Sequence, residues 1–111
     1  MKLANMPETT IDWSLIAETE IQGASGFSNT RAHQSGEVQQ RIVEYAPGYL
    51  ADHWCSKGHV IYVIAGALTI EHENEEPACA LSAGMSWQVA DGEGPAHRVR
   101  SENGATVFIV D

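Results

Sequence analysis

Between positions 52 and 59 the chain reads Asp52-His53-Trp54-Cys55-Ser56-Lys57-Gly58-His59, and a further histidine, His97, follows the loop Gly92-Glu93-Gly94-Pro95-Ala96. Imidazole nitrogen and thiolate sulfur suit borderline ions, so His53, Cys55, His59 and His97 read together as ligands for a divalent transition metal. Zinc or iron is the first choice, and nickel or copper also fits. Magnesium and calcium prefer oxygen donors and do not suit the set. A closed shell of all four would be structural, whereas an open position would serve catalysis, and the residue types leave both arrangements available. Cys55 has two other uses, as a nucleophile working with His59 or His97 or as a redox-sensing thiol. Three histidines around one sulfur exceed what a nucleophile needs, which ranks ligation above both.

Strand alternation supplies the means of convergence. Side chains two apart on a strand share a face, so a strand over 50–55 would aim His53 and Cys55 into one interior, with Tyr49 on the same side and Trp54 facing out. A return strand opening at His59 carries Ile61 and Val63 on the same face, and one opening at His97 carries Val99 inward while Arg98 and Arg100 point away. Trp87 alternates with Met85 and Val89, so Tyr49 and Trp87 are the candidate ligand-binding residues lining the cavity. No carboxylate is expected at matching parity to act as a general base, which leaves the catalytic residues unassigned. His33 has no companion and His72 lies on the charged edge Glu71-His72-Glu73, so both are read as ordinary hydrogen-bonded or solvated groups. Cys79 sits in the apolar run Pro77-Ala78-Cys79-Ala80-Leu81 and is read as a free core cysteine.

The elements that must carry these residues are short β-runs broken at close intervals by ten glycines. Strands are expected over 39–45, 50–55, 59–64, 67–72, 78–81, 86–89, 97–101 and 106–110, with another over 30–34. The only helical fragment is a single turn within Thr10–Ile16, capped by Thr10 or Asp12 and anchored by Trp13. Asn74-Glu75-Glu76-Pro77 and Glu102-Asn103-Gly104 read as turns, the second as a tight hairpin, so consecutive strands are expected to pair or lie close. Many short strands in 111 residues imply one all-β domain, a sandwich or a barrel.

Fifteen acidic against six basic residues give a formal charge of -9, which would repel phosphate backbones and anionic headgroups. Nucleic-acid and membrane binding are therefore not expected, and the glycine fingerprints GxGxxG and GxxxxGK are missing. The segment Met1–Pro7 lacks the apolar core of a secretion signal, and the apolar run Val60–Leu68 falls well short of the roughly 20 residues of a membrane helix. A cytoplasmic location is expected, where Cys55 and Cys79 stay reduced.

The sequence resembles the cupins. Their first motif reads G, five residues, HxH, three or four residues, E, six residues, G; here the run is Gly48, four residues, His53-Trp54-Cys55, three residues, His59, six residues, Gly66. Cys55 takes the place of the second histidine and His59 that of the glutamate. The second motif has its counterpart in Gly84, five residues, Ala90-Asp91-Gly92, four residues, His97. Through Tyr45–His59 and the ending Val107–Asp111 the chain also resembles the small single-domain cupins with a DHCW motif. The resemblance implies an antiparallel double-stranded β-helix, the jelly-roll barrel, spanning 1–111 as one domain. Residues 1–25 would be an N-terminal extension and 39–111 the barrel core carrying both motifs. It further implies a metal pocket in the interior, a small-molecule ligand and a homodimer, and it brings no settled reaction. Two functions follow as expectations: a metal-dependent enzyme of oxygenase or isomerase type, or a noncatalytic module that binds a small ligand or senses a metal.

Overall fold

The computed structural model describes residues 2–111. It is all-β apart from one 3₁₀ turn, Trp13–Leu15, and has nine strands: β1 (Thr19–Gln22), β2 (Phe27–Ser35), β3 (Val38–Tyr45), β4 (Tyr49–Leu50), β5 (His59–His72), β6 (Cys79–Ser82), β7 (Ser86–Val89), β8 (His97–Ser101) and β9 (Ala105–Val110). All pairings are antiparallel, in the order β1-β2-β3-β9-β5-β8-β4, with β6 and β7 also joined to β5.

β5 organises the barrel. The sequence suggests two strands, 59–64 and 67–72, and the structure makes them one of 14 residues. Its first half lies between β7 and β9, its second half between β6 and β8, and a register shift between Val63 and Ala65 marks the bend. Gly66 follows that bend at φ +76°, and a Cβ there would collide with the Gly104 carbonyl and lie 2.9 Å from the Ala105 Cα. Glycine is needed on both counts, backbone conformation and space. One strand thus serves two sheets, and their inner faces close on a core of Val43, Ile61, Val63, Leu68, Ile70, Leu81, Ala105, Val107 and Ile109. Each large apolar side chain taken out of water there stabilises the fold by roughly 1.5–3 kcal/mol.

Three expectations are corrected. β8 and β9 do not form a hairpin across Asn103-Gly104: β8 pairs with β4 and β5 in one sheet and β9 with β3 and β5 in the other, so the turn carries the chain between sheets. Gly104, at φ +92°, lies beneath the Tyr45 carbonyl, 3.0 Å from where a Cβ would sit. The strand expected over 50–55 ends at Leu50, and the chain then bends at Asp52 and His53 before Cys55 makes an isolated bridge to His97. β2 is longer than the stretch 30–34 and β1 was not foreseen, so strand pairing begins well before residue 39.

The 3₁₀ turn is capped by Asp12, whose carboxylate accepts from the Ser14 amide at 3.0 Å. Trp13 rests edge-on against Phe108, with ring centroids 6.4 Å apart, on the outer face of β9. Arg31 fastens this segment by donating to the carbonyls of Trp13 and Ile16 and pairing with Glu18.

Candidate metal centre

Cys55, His59 and His97 converge, with their ligand atoms all within 4.8 Å of one another. His59 opens β5 and points inward in step with Ile61 and Val63, which are 3% and 0% exposed. His97 opens β8 and is buried, and its backbone exchanges hydrogen bonds of 2.8 and 2.9 Å with Cys55. That exchange fixes the loop carrying Cys55 against β8 although no strand continues there. The same loop is tied to residues 91 and 92: the Gly58 amide donates to the Asp91 carboxylate, and the Gly92 amide donates to the Ser56 carbonyl. A side chain at Gly58 would press on the Asp91 backbone, 2.8 Å from the Cβ position, so the close approach requires glycine.

Within the cluster the Cys55 Sγ lies 3.5 Å from the His59 Nε2 and accepts from the Lys57 amide at 3.4 Å. The His97 ring stands edge-on to His59, centroids 5.1 Å apart, and to Trp87 at 5.0 Å. Its Nε2 is buried without a hydrogen-bond partner. Burial, with His59 and then His72 nearby, pushes His97 down from 6.5 to about 4, and burial also lowers His59 against the opposing pull of Asp111. Both rings are therefore neutral at pH 7 and have a lone pair for an ion.

The donor set fits a borderline metal on its chemistry. One sulfur and two imidazole nitrogens converge, and one of those nitrogens has no other partner. Cys55, His59 and His97 would hold such an ion, and a tetrahedral ion held by three protein donors would keep one position for water or a ligand. His53 does not join them. Its side chain is 76% exposed and its Nδ1 lies 2.6 Å from the Asp52 Oδ1. The alternation that would have placed it beside Cys55 fails because the backbone bends at 52–53.

The cluster opens onto a cavity of about 150 Å³, whose mouth is reached by His53 and whose walls include Tyr45, Tyr49, Ile61, Val99 and Ile109. Tyr49 lines it as the sequence suggests and stacks on Tyr45, centroids 4.7 Å apart; burial raises both phenols, so both are neutral. Trp87, expected to line the cavity, is not in its walls: it touches the site only through its edge-on contact with His97 and packs against the core. Trp54 is half-buried rather than fully exposed, under the Arg98 guanidinium at 4.2 Å.

Two residues that sequence reasoning did not assign complete the surroundings. Asp111, with a side chain 4% exposed, accepts from the His59 Nδ1 at 3.1 Å and from the Arg41 Nη2 at 2.9 Å. A buried carboxylate at the parity of Ile109 and Val107 is thus present, contrary to the expectation of none. By accepting the Nδ1–H hydrogen bond it holds the proton on Nδ1 and leaves the His59 Nε2 lone pair to face Cys55, the orientation that metal-binding histidines need. Arg41 shares the inward face of β3 with Val43 and lines the cavity. The signal for both lay in the strand alternation, carried past the apolar positions to the charged ones.

No family model and no curated protein matches the sequence. Solved structures resemble it in fold. An RmlC-like cupin from Shewanella frigidimarina aligns at a TM-score of 0.72 and 16% identity, over 96% of this chain and 91% of that one. A predicted oxalate decarboxylase from Thermotoga maritima aligns at 0.74 and 12%, over 92% and 96%. A sugar phosphate isomerase from a cupin superfamily, from Silicibacter pomeroyi, aligns at 0.72 and 14%, over 92% and 74%. The chain has the cupin jelly-roll fold, and at these identities the likeness extends to the fold alone.

Proposed function

We propose that this cupin-fold chain is a metal-dependent protein acting on a small molecule, with Cys55, His59 and His97 holding the ion and His53 standing at the cavity mouth. The observation that carries the reading is the convergence of three such donors beside a cavity, one of them the His97 Nε2 with no other partner. Zinc or iron suits the donors best, and nickel or copper is compatible. When bound, such an ion supplies Lewis acidity toward an oxygen of the small molecule. The protein's own part is to orient His59 through Asp111, to shape the cavity with Tyr49 and Ile61, and to limit water by the apolar walls around it. An isomerase or oxygenase is the corresponding enzyme class, and the structural relatives described above include an isomerase and a predicted decarboxylase. A noncatalytic binding or sensing module would use the same geometry without turnover.

Elemental analysis of protein purified without added metal or affinity tag tests the reading. Near-stoichiometric transition metal in the wild type, lost in Cys55→Ala and His97→Ala, is expected. A wild type that is empty and takes up no zinc, iron(II), nickel or copper on titration overturns it. One observation favours a second reading in that event: Cys55 Sγ, His59 and the Asp111 carboxylate stand in the order nucleophile, base, orienting acid, at 3.5 and 3.1 Å. Stoichiometric acylation of Cys55 by an activated ester, abolished in His59→Ala, would then identify a thiol-dependent acyl transferase or hydrolase.

The proposal places the protein in the cytoplasm, where Cys55 stays reduced, and pairs it with a second copy through the outer face of β5. Val60, Tyr62 and Ile64 are exposed there beside Phe108 and Val110 of β9. No helix among the described residues is long and apolar enough to cross a membrane.

A further inference from the structure

Between Ala51 and Cys55 the chain leaves β8 and comes back to it. The Ala51 amide donates to the Val99 carbonyl at 3.0 Å, and Cys55 exchanges backbone hydrogen bonds of 2.8 and 2.9 Å with His97. Asp52, His53 and Trp54 therefore stand opposite a single residue of β8, Arg98, and the surplus chain bows outward. Among the described residues no backbone hydrogen bond holds these three, and the Asp52 carboxylate and the His53 ring meet only each other. A segment without ladder bonds opens easily unless a side chain fastens it.

Trp54 is that side chain. Its ring lies under the Arg98 guanidinium, 4.2 Å from the centroid, and a cation over an indole face is attracted to it. Arg98 is itself braced: its Nε donates at 2.8 Å to Glu71, its cross-strand partner on β5, and Glu71 also accepts from the Arg100 Nε at 2.7 Å. The fastening stands at an entrance. Ala51, His53 and Cys55 line the 150 Å³ cavity, and Arg98 belongs both to its wall and to the stack on Trp54. The larger depression, of about 860 Å³, shares His59 with this cavity but does not reach Cys55, so the approach to the thiol runs past residues 51–54.

We infer that Arg98 is a positioning residue that holds the 52–54 segment across the cavity mouth through Trp54, and so sets the size of molecule admitted to Cys55 and the cavity. With the stack intact the mouth stays as narrow as the small cavity behind it. Without the stack, residues 52–54 have only their two flanking attachments to β8, and the mouth widens.

Alkylation of the metal-free protein tests this, with N-methylmaleimide as the small probe and N-(1-pyrenyl)maleimide as the bulky one, and the rate at Cys55 followed by peptide mass spectrometry. The readout is the ratio of the two rates, because a change in thiol ionisation acts on both probes alike. Wild type is expected to favour the small probe. Arg98→Met should raise the rate of the bulky probe about ten-fold, as expected for loss of a partly desolvated cation–π contact, and change the small probe little. Trp54→Leu should do the same, and Arg98→Lys, which keeps a cation, should recover part of the discrimination. Arg100→Met removes the other partner of Glu71 without touching Trp54, so it controls for lost stability and should keep the wild-type ratio. A wild type that admits both probes equally overturns the inference, as does an unchanged ratio in Arg98→Met or Trp54→Leu, or an equal rise in Arg100→Met. No arm uses an ion, so the outcome is separate from the elemental analysis that decides the metal reading.

Discussion

His53 and Cys55 stand two positions apart, yet one is 76% exposed and the other faces the interior beside His59. Their separation predicts unequal effects on metal content. His53→Ala should keep near-stoichiometric metal while Cys55→Ala loses at least most of it; equal loss in the two would put His53 back among the ligands. His97 makes a second prediction, on pH. Its folded value of about 4 lies below the ordinary 6.5, so between those limits the unfolded chain binds a proton that the folded chain refuses. Stability of the metal-free protein should therefore be fully present above about pH 6.5, fall as the pH drops toward 4 and level off below that as far as His97 is concerned. His59, lowered in the same direction, adds to the fall. Urea midpoints at pH 7.5, 6, 5 and 4 check this, and a midpoint constant from 7.5 to 5 would contradict it. The depression itself comes mainly from burial, which a linear sequence does not display.

At the scale of elements, β5 does most of the positioning. It places His59 at one end against β7 and β9 and carries the second sheet at its other end, and the turn at Gly66 lets both happen in one strand. Gly66→Ala forces an L-residue into a left-handed conformation, costing about 1–2 kcal/mol, and adds a collision with the Gly104 carbonyl. Thermal or urea unfolding should show a loss of at least that size, with the larger share from the collision. Gly84→Ala, at φ +90° but with nothing within 4 Å of its Cβ, should show the backbone cost without the collision. Equal losses at the two sites would mean that the approach of Gly66 to Gly104 relaxes freely.

For the whole molecule, the outer face of β5 remains bare where the N-terminal segment stops. Trp13 covers Phe108, but Val60, Tyr62 and Ile64 stay 48%, 44% and 47% exposed in a row. Contiguous apolar surface of this kind marks association. A dimer is expected by sedimentation, converted to monomer by Tyr62→Glu with the metal content unchanged. A wild type that stays monomeric at micromolar concentration would remove the second copy from the proposal.

Much of this architecture was legible in the residues. Glycine spacing announced an all-β chain, period-two alternation put His59 with Ile61 and Val63 and His97 with Val99, and the pairing of soft donors singled out Cys55, His59 and His97, which the fold brings together. These are local rules, obeyed wherever the backbone stays extended. Tertiary structure decided the rest. Whether the backbone stays extended at 52–53 depends on pairing with β8, and within residues 49–55 only Tyr49 and Leu50 have ladder partners on β8, followed by an isolated bridge from Cys55 to His97. That break separates His53 from the cluster of Cys55, His59 and His97. Asp111 and Arg41 become part of the site because β3, β9 and β5 lie side by side, which brings residues 41, 59 and 111 together through pairings of high sequence separation. Alternation names the face on which a side chain sits, and only the register between distant strands names its neighbours.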